Sequence, residues 1–262
     1  MLRPTYSVRH AGVFRSLAKV CRNYLRWYGN ASLRSEKNGE RWLLRTLAPA
    51  NIRTVIDVGA NVGKWALEAA AAFPDATIYA LEIVPATFET LRTAVAGVPR
   101  IRPIGSGLSD RPGTLRIRWD PRFPTHATWT DYPYNWSEER ATDCPVTTGD
   151  ELMRAHGIDR VDFLKIDVEG AEHLVLRGFA AALAARRVRF VQLEYGRFHV
   201  LTGLRLRDFH ELFRSHGYVV GKLYPDYAEL RDYDVADEDF FTGGNYLACP
   251  ADDPLRGALS RG

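Results

Sequence analysis

Two charged residues stand where a strand should be apolar. In Val161-Asp-Phe-Leu-Lys165-Ile-Asp167-Val-Glu169-Gly170-Ala-Glu172-His173, Lys165 and Asp167 interrupt what otherwise reads as a buried central strand. Burying charge is costly unless it is paired or used, so both residues are expected to serve a site. Asp167, at the carboxyl end of the strand, is the candidate catalytic residue, as a base or as the group that orients an acceptor. Glu194 closes the next apolar run. Neighbouring strands lie about 4.8 Å apart, so Asp167 and Glu194 could face one gap. Two carboxylates there would suit a hard cation such as Mg2+ clamping a diol; water or Lys165 could orient them equally well. His126, His173 and His199 are the alternative bases, with His199 nearest the expected cleft, each weighed against the commoner role of a surface or hydrogen-bonded structural histidine.

A second constellation precedes this one. Thr54-Val-Ile-Asp-Val58 runs into Asp57-Val-Gly59-Ala-Asn61-Val-Gly63-Lys64-Trp65, a glycine-bearing strand-to-helix turn of the kind that lets a ligand approach backbone N–H groups at a helix start. Three readings compete. A phosphate-cradling P-loop needs four residues between its glycines and Ser or Thr after the lysine; here three residues separate Gly59 from Gly63 and Trp65 follows Lys64. A dinucleotide site wants a glycine where Asn61 stands. A ligand with only a small carboxylate to place there, such as the methionine part of S-adenosylmethionine, tolerates Asn61.

Glu82 closes the second strand 23 residues after Gly59, where a carboxylate can accept hydrogen bonds from ribose hydroxyls. In Gly105-Ser-Gly107-Leu-Ser109-Asp110, Asp110 could receive an adenine amino group or could set the turn before Pro112-Gly113. The expected cofactor-binding residues are therefore Asp57, Gly59, Asn61, Gly63, Glu82, Ser109, Asp110 and Asp167.

Through DVGANVGKW at 57–65, the acidic Glu82, and FLKIDVEGAEHLVLRG at 163–178, the chain resembles the FkbM family of S-adenosylmethionine-dependent methyltransferases over roughly residues 54–195. The resemblance implies a class I methyltransferase fold, Rossmann-like, with a seven-stranded and mostly parallel sheet whose last strand is antiparallel. It implies S-adenosylmethionine as cofactor and O-methylation of a sugar, glycolipid or polyketide-type natural product. An NAD-dependent oxidoreductase shares the sheet, the glycine turn and Glu82, with Asn61 and the Lys165–Gly170 motif against it. A non-catalytic nucleotide-binding scaffold of the same fold is the other rival.

The elements that must position these residues follow from periodicity. Helices are expected near 63–73, 85–95, 148–156, 172–185 and 206–216, and strands at 54–58, 77–81, 101–104, 161–166, 188–193, 218–223 and 240–248. Most alternate, which predicts a parallel sheet covered on both faces; the two late strands, with no helix between them, should pair antiparallel. Between Trp119 and Pro145 the aromatics Trp119, Phe123, Trp129, Tyr132, Tyr134 and Trp136 lie among four prolines, a pattern read as a long loop without regular structure that covers the sheet edge or forms a lid or binding surface.

The chain has 262 residues, 46% hydrophobic and 26% charged, enough apolar material for a full core and too much for a disordered or collagenous chain. Three cysteines without paired spacing exclude a disulfide scaffold and a zinc site. The net charge of +3 conceals an asymmetry: residues 1–53 hold 11 Lys/Arg against 2 Asp/Glu. Within this head, residues 13–28 alternate apolar and basic positions as an amphipathic helix, suited to packing, to a homodimer contact, or to peripheral contact with a membrane. No nucleic-acid motif accompanies it, so that partner is not expected. With no apolar leader and no bilayer-length run, the reading is a cytoplasmic protein. The expected division is a basic helical extension (1–53), a methyltransferase domain (54–250) and a short tail (251–262).

Overall fold

A computed structural model describes residues 11–32, 34–130, 136–238 and 243–260, with side chains at 124–126 excepted. The chain opens with helix α1 (Gly12–Tyr28) and α2 (Glu40–Leu47). α1 buries none of its residues, whereas α2 buries Leu43, Leu44 and Leu47 against the domain core, so that core begins ahead of residue 54. The alternation then follows: β1 (Thr54–Val58), α3 (Lys64–Ala72), β2 (Thr77–Leu81), α4 (Pro85–Val95) and β3 (Ile101–Ile104). Pro85 fits the first turn of α4 because the N–H it lacks would have no partner there.

The segment read as an unstructured aromatic loop is instead a small sheet. Strands β4 (Gly107–Leu108), β5 (Gly113–Asp120), β6 (Phe123–Thr128) and β7 (Arg140–Thr147) are ordered β4-β7-β5-β6. The prolines sit where a ladder tolerates them. Pro124 lies in the edge strand β6, and Pro145 of β7 lies just beyond the two residues that pair with β4. Pro121 is in the β5–β6 turn, which Asp120 closes by accepting the Arg122 N–H at 2.9 Å. Pro133, Tyr132 and Tyr134 fall outside the described residues.

After α5 (Gly149–Ala155) and β8 (Val161–Ile166), the helix expected over 172–185 is two helices, α6 (Glu172–Gly178) and α7 (Ala180–Ala184). The Asp150 carboxylate accepts the N–H groups of Ala181 and Ala182 at 2.9 and 3.0 Å, satisfying donors at the start of the second helix. The chain continues through β9 (Val188–Tyr195), α8 (His199–Thr202), α9 (Leu206–Ser215), β10 (Tyr218–Tyr224), β11 (Tyr227–Arg231), β12 (Gly244–Pro250) and α10 (Arg256–Leu259). The start expected for the last strand, at Phe240, lies outside the described residues.

The main sheet has the order β11-β10-β12-β9-β8-β1-β2-β3. β1, β2, β3, β8 and β9 pair in parallel, and β12 inserts antiparallel between β9 and β10. Seven of these strands make the class I methyltransferase sheet, with the antiparallel last strand the sequence predicts. The eighth, β11, comes from the acidic connection after β10 and extends its edge. On one face Ile56, Val58, Leu164 and Ile166 pack under α5, α6 and α9; on the other, Val55, Ile78, Phe163 and Phe190 pack under α2, α3 and α4. Leu259 of α10 is fully buried, so the C-terminal residues dock on this core.

Candidate active site

Parallel strands drive their carboxyl ends to one edge of the sheet, and here β1, β2, β8 and β9 end in register: Val58 opposite Leu81 and Ile166, and Ile166 opposite Leu193. Above this edge lies a cavity of about 250 Å³. Gly59, Asn61, Glu82, Asp167, Glu169 and Glu194 line its sheet side. Leu115 and Ile117 of β5, Ala127 and Thr128 of β6, and Trp129 line the opposite side. The small sheet is thus the wall that encloses the site, and Trp129 supplies the aromatic surface anticipated for segment 119–145.

The turn after β1 needs its glycines for identifiable reasons. Gly59 adopts φ +82°, and a Cβ built there would lie 1.9 Å from the Asp167 carbonyl oxygen. That approach is fixed on both sides, because Asp167 N–H donates to Val58 O at 2.9 Å while Gly59 and Ala60 N–H donate to Leu81 O at 3.0 and 2.8 Å. The two expected constellations are one object, sewn together at Gly59. Gly59→Ala is therefore expected to cost more than about 3 kcal/mol, since the backbone overlap adds to the ordinary left-handed penalty. Gly97→Ala, with nothing within 4 Å of its Cβ, should stay within about 0.5 kcal/mol of the parent. Urea denaturation of both variants checks the contrast; equal midpoints would remove the argument.

Asn61 also takes a left-handed φ of 52°, a conformation asparagine tolerates better than most residues. Its N–H donates to Glu82 Oε2 at 2.9 Å, and Val84 N–H donates to Oε1 at 2.8 Å. Glu82 is thereby aimed from β2 into the cavity. Burial pushes its carboxyl up to about 7, against the lowering effect of those N–H groups. Gly63 starts α3 at φ +84° and does not line the cavity.

Asp57 and Lys165 are register partners in β1 and β8 and share the α2/α3 face. Lys165 Nζ is 2.9 Å from Asp167 Oδ2 and 3.8 Å from Asp57 Oδ1, and lies 5.6 Å from the centre of the Trp65 ring. Burial alone would lower the lysine, but the two carboxylates overcome it and hold the ammonium well above its usual range. Asp57 is fully buried and neither oxygen has a hydrogen-bond partner; burial, relieved by Lys165, leaves its carboxyl at about 6. Asp57 is a floor group beneath the cavity, not a member of its wall.

Asp167 and Glu194 do meet. They are hydrogen-bonded, and burial with the neighbouring Asp167 charge holds Glu194 well above the carboxylate range. Burial also pushes Asp167 up, yet Lys165 and the Glu194 hydrogen bond outweigh it and hold it low. These donors do not fit a divalent cation: the Lys165 ammonium already lies 2.9 Å from Asp167 Oδ2, and no group of three His, Cys, Asp or Glu among the described residues could hold a metal. A cation at Asp167 would have to sit beside the Lys165 ammonium.

His199 does not reach the cavity. Its ring is buried against Tyr195 and Phe209, with Nδ1 at Gly196 and Nε2 3.1 Å from Glu172 Oε2. The other Glu172 oxygen accepts the Val168 N–H at 3.0 Å. The histidine braces the Asp167–Gly170 turn and does not face an acceptor. His173 lies beside Trp129, outside the cavity wall, and the side chain of His126 is outside the described residues. Ser109 is buried behind β4 and Asp110 is exposed; neither lines the cavity, and Gly107 and Leu108 stand there instead. Leu115 and Ile117 escape the sequence reading because their side of the site is a separate sheet; Trp129 beside them is one of the aromatics that the sequence singles out.

The family profile described as "Methyltransferase FkbM domain" matches residues 57–220. The chain is 29% identical over 212 residues to the hexuronic acid methyltransferase AglP of Haloferax volcanii, covering 80% of this chain and 77% of that protein. It is 28% identical over 153 residues to the methyltransferase sdnD of Sordaria araneosa, covering 47% of this chain and 59% of the relative, so the match spans less than two thirds of that protein. Among solved structures it is similar to a methyltransferase FkbM from Methylobacillus flagellatus KT, at 16% identity and a TM-score of 0.45, with 76% of this chain and 44% of that chain covered.

Proposed function

The chain belongs to the FkbM methyltransferase family, and from this premise we propose that it transfers a methyl group from S-adenosylmethionine to a hydroxyl oxygen of a small-molecule or glycan-type acceptor. One observation carries the reading: Asp167, paired with Glu194, faces the same cavity as Glu82. One residue pair is thus available to the acceptor and another carboxylate to the ribose.

The residues present fit the cofactor. Glu82 would receive the ribose hydroxyls, the Gly59–Asn61 turn would admit the methionine end beside the α3 start, and Gly107 and Leu108 would flank the base. When bound, S-adenosylmethionine supplies an electrophilic methyl on a positively charged sulfur. Asp167 would hold the acceptor hydroxyl and take up its proton as that oxygen receives the methyl group, the departing group being the neutral thioether. The proton then leaves through the Asp167–Glu194 pair to water. Leu115, Ile117 and Trp129 keep water from competing for the methyl group. A sugar acceptor is supported by the name of the Haloferax relative and by Trp129, whose ring can stack on a sugar face.

Calorimetry against S-adenosylhomocysteine and NAD tests this. The first should bind and the second should not; the reverse would favour the oxidoreductase, and binding of neither a scaffold. The titration has a pH signature. Ribose hydroxyls favour the ionised form of Glu82, whose folded carboxyl titrates at about 7, so binding expels a proton and tightens as pH rises through that value. Between about pH 6 and about pH 8 the affinity should rise by roughly tenfold, and Glu82→Gln should flatten the profile. A flat profile in the parent protein would take the ribose away from Glu82.

A further inference from the structure

Helix α1 is the largest apolar feature that the methyl-transfer reading leaves unused. None of its 17 residues is buried, and Val13, Leu17, Val20 and Trp27 are 70, 57, 62 and 75% exposed. At ~100° per residue, Val13, Leu17, Val20, Tyr24 and Tyr28 fall on one side of the helix. Arg15, Lys19, Arg22 and Arg26 fall on the other, and no acidic residue accompanies them. Tyr24, Trp27 and Tyr28 cluster at the C-terminal end, with ring centroids 5.9 and 6.2 Å apart. The helix is tied to the domain just beyond its end, where the buried Asn30 side chain donates to Leu223 O at 2.7 Å and Asn38 O at 3.1 Å.

We propose that α1 is a docking element for an anionic bilayer surface, lying in the headgroup plane with its valine, leucine and aromatic side immersed and its arginines and lysine against lipid phosphates. Charge selects this occupant over a second copy of the chain. Pairing two α1 helices along their apolar sides leaves eight cations on the outer faces of the pair with no carboxylate on either helix to offset them, whereas an anionic surface attracts each of them. Size argues the same way: one helix ~25 Å long offers a strip smaller than the ~800 Å² per partner of a standard interface. Tyrosine and tryptophan at one end suit the boundary between headgroups and acyl chains. No helix among the described residues is long and apolar enough to cross a membrane, so the contact is peripheral. This inference does not depend on the methyl-transfer reading.

Co-sedimentation of the full chain with phosphatidylcholine vesicles, with and without roughly one-third phosphatidylglycerol, tests it. Partitioning onto the anionic vesicles should exceed that onto neutral ones by at least about tenfold, and each Lys or Arg neutralised to Gln should weaken it by about fivefold. Leu17→Asp should abolish it, and Trp27→Phe should remove the vesicle-induced blue shift of the emission. Because α1 buries no residue, these variants should melt at the parent temperature. Equal partitioning onto both vesicle types, absence of partitioning, or a lower melting temperature in Leu17→Asp would overturn the proposal. So would a solution dimer that Leu17→Asp dissociates, which would assign the face to a second copy.

Discussion

Asp167→Asn is expected to lose methyl transfer by a factor of about 10² to 10⁴ while still binding S-adenosylhomocysteine. Asparagine keeps the shape of the side chain and can accept from Lys165, but it cannot take a proton from an acceptor hydroxyl. The fold should survive, because Lys165 retains Asp57 at 3.8 Å as a counter-charge. The substitution also reaches Glu194. That carboxyl is held high by burial first and by the Asp167 charge second, so removing the charge moves it back toward the ordinary range and it ionises more readily. A partial return of rate at raised pH is the expected trace of Glu194 acting in place of its neighbour, and Asp167→Asn/Glu194→Gln should remove it. The measurements are methyl transfer to a hydroxylated acceptor across pH, and calorimetry with the thioether product. Turnover at the parent rate would reject the assignment. Loss of ligand affinity in step with rate would move Asp167 from the acceptor to the cofactor.

What the sequence disclosed of this arrangement, and what it withheld, has a physical pattern. Parallel strands buried on both faces read as apolar runs, so β1, β2, β8 and β9 and their common edge were legible, and the charges at Lys165 and Asp167 stood out because burial there needs a reason. The meeting of Asp167 with Glu194 follows from adjacency of β8 and β9. Gly59 was legible as a turn glycine, yet its real constraint, the Asp167 carbonyl from a strand more than a hundred residues away, is a tertiary fact. Prolines at 121, 124 and 145 suppressed the small sheet, because sequence does not reveal whether a proline sits in a turn, on an edge or past the end of a short neighbour. The Leu115 and Ile117 part of the wall disappeared with it, while Trp129 stood out as an aromatic. His199 was misplaced for a related reason: the turn after β9 can present a histidine to the cavity or to the core, and the choice is made by Glu172, whose other oxygen already holds Val168.

Lys165→Met should destabilise the protein by about 3–5 kcal/mol near pH 8, the cost of removing one member of a buried charged group, even though methionine fills a similar volume. Asp57 is why. It is fully buried, its oxygens have no hydrogen bond, and the ammonium is the attraction that keeps its carboxyl near 6 against a free value of 3.8. A carboxyl raised in the folded state binds protons there that the unfolded chain has released, so stability is lost as pH rises from the unfolded value to the folded one. In the parent protein that loss from Asp57 is essentially complete about one unit above pH 6. Without the lysine its folded value climbs further, and the loss continues above that point. The deficit of the variant should therefore grow with pH above about 6 and shrink when Asp57 accepts a proton at about pH 5.5. Adding Asp57→Asn should restore most of the stability near pH 8, since the amide carries no charge to compensate. Urea unfolding of the parent, single and double variants at both pH values reads all three statements. A deficit independent of pH, unrelieved by the second substitution, would mean that Lys165 contributes by packing on Trp65 and that the charges of this floor do not govern one another.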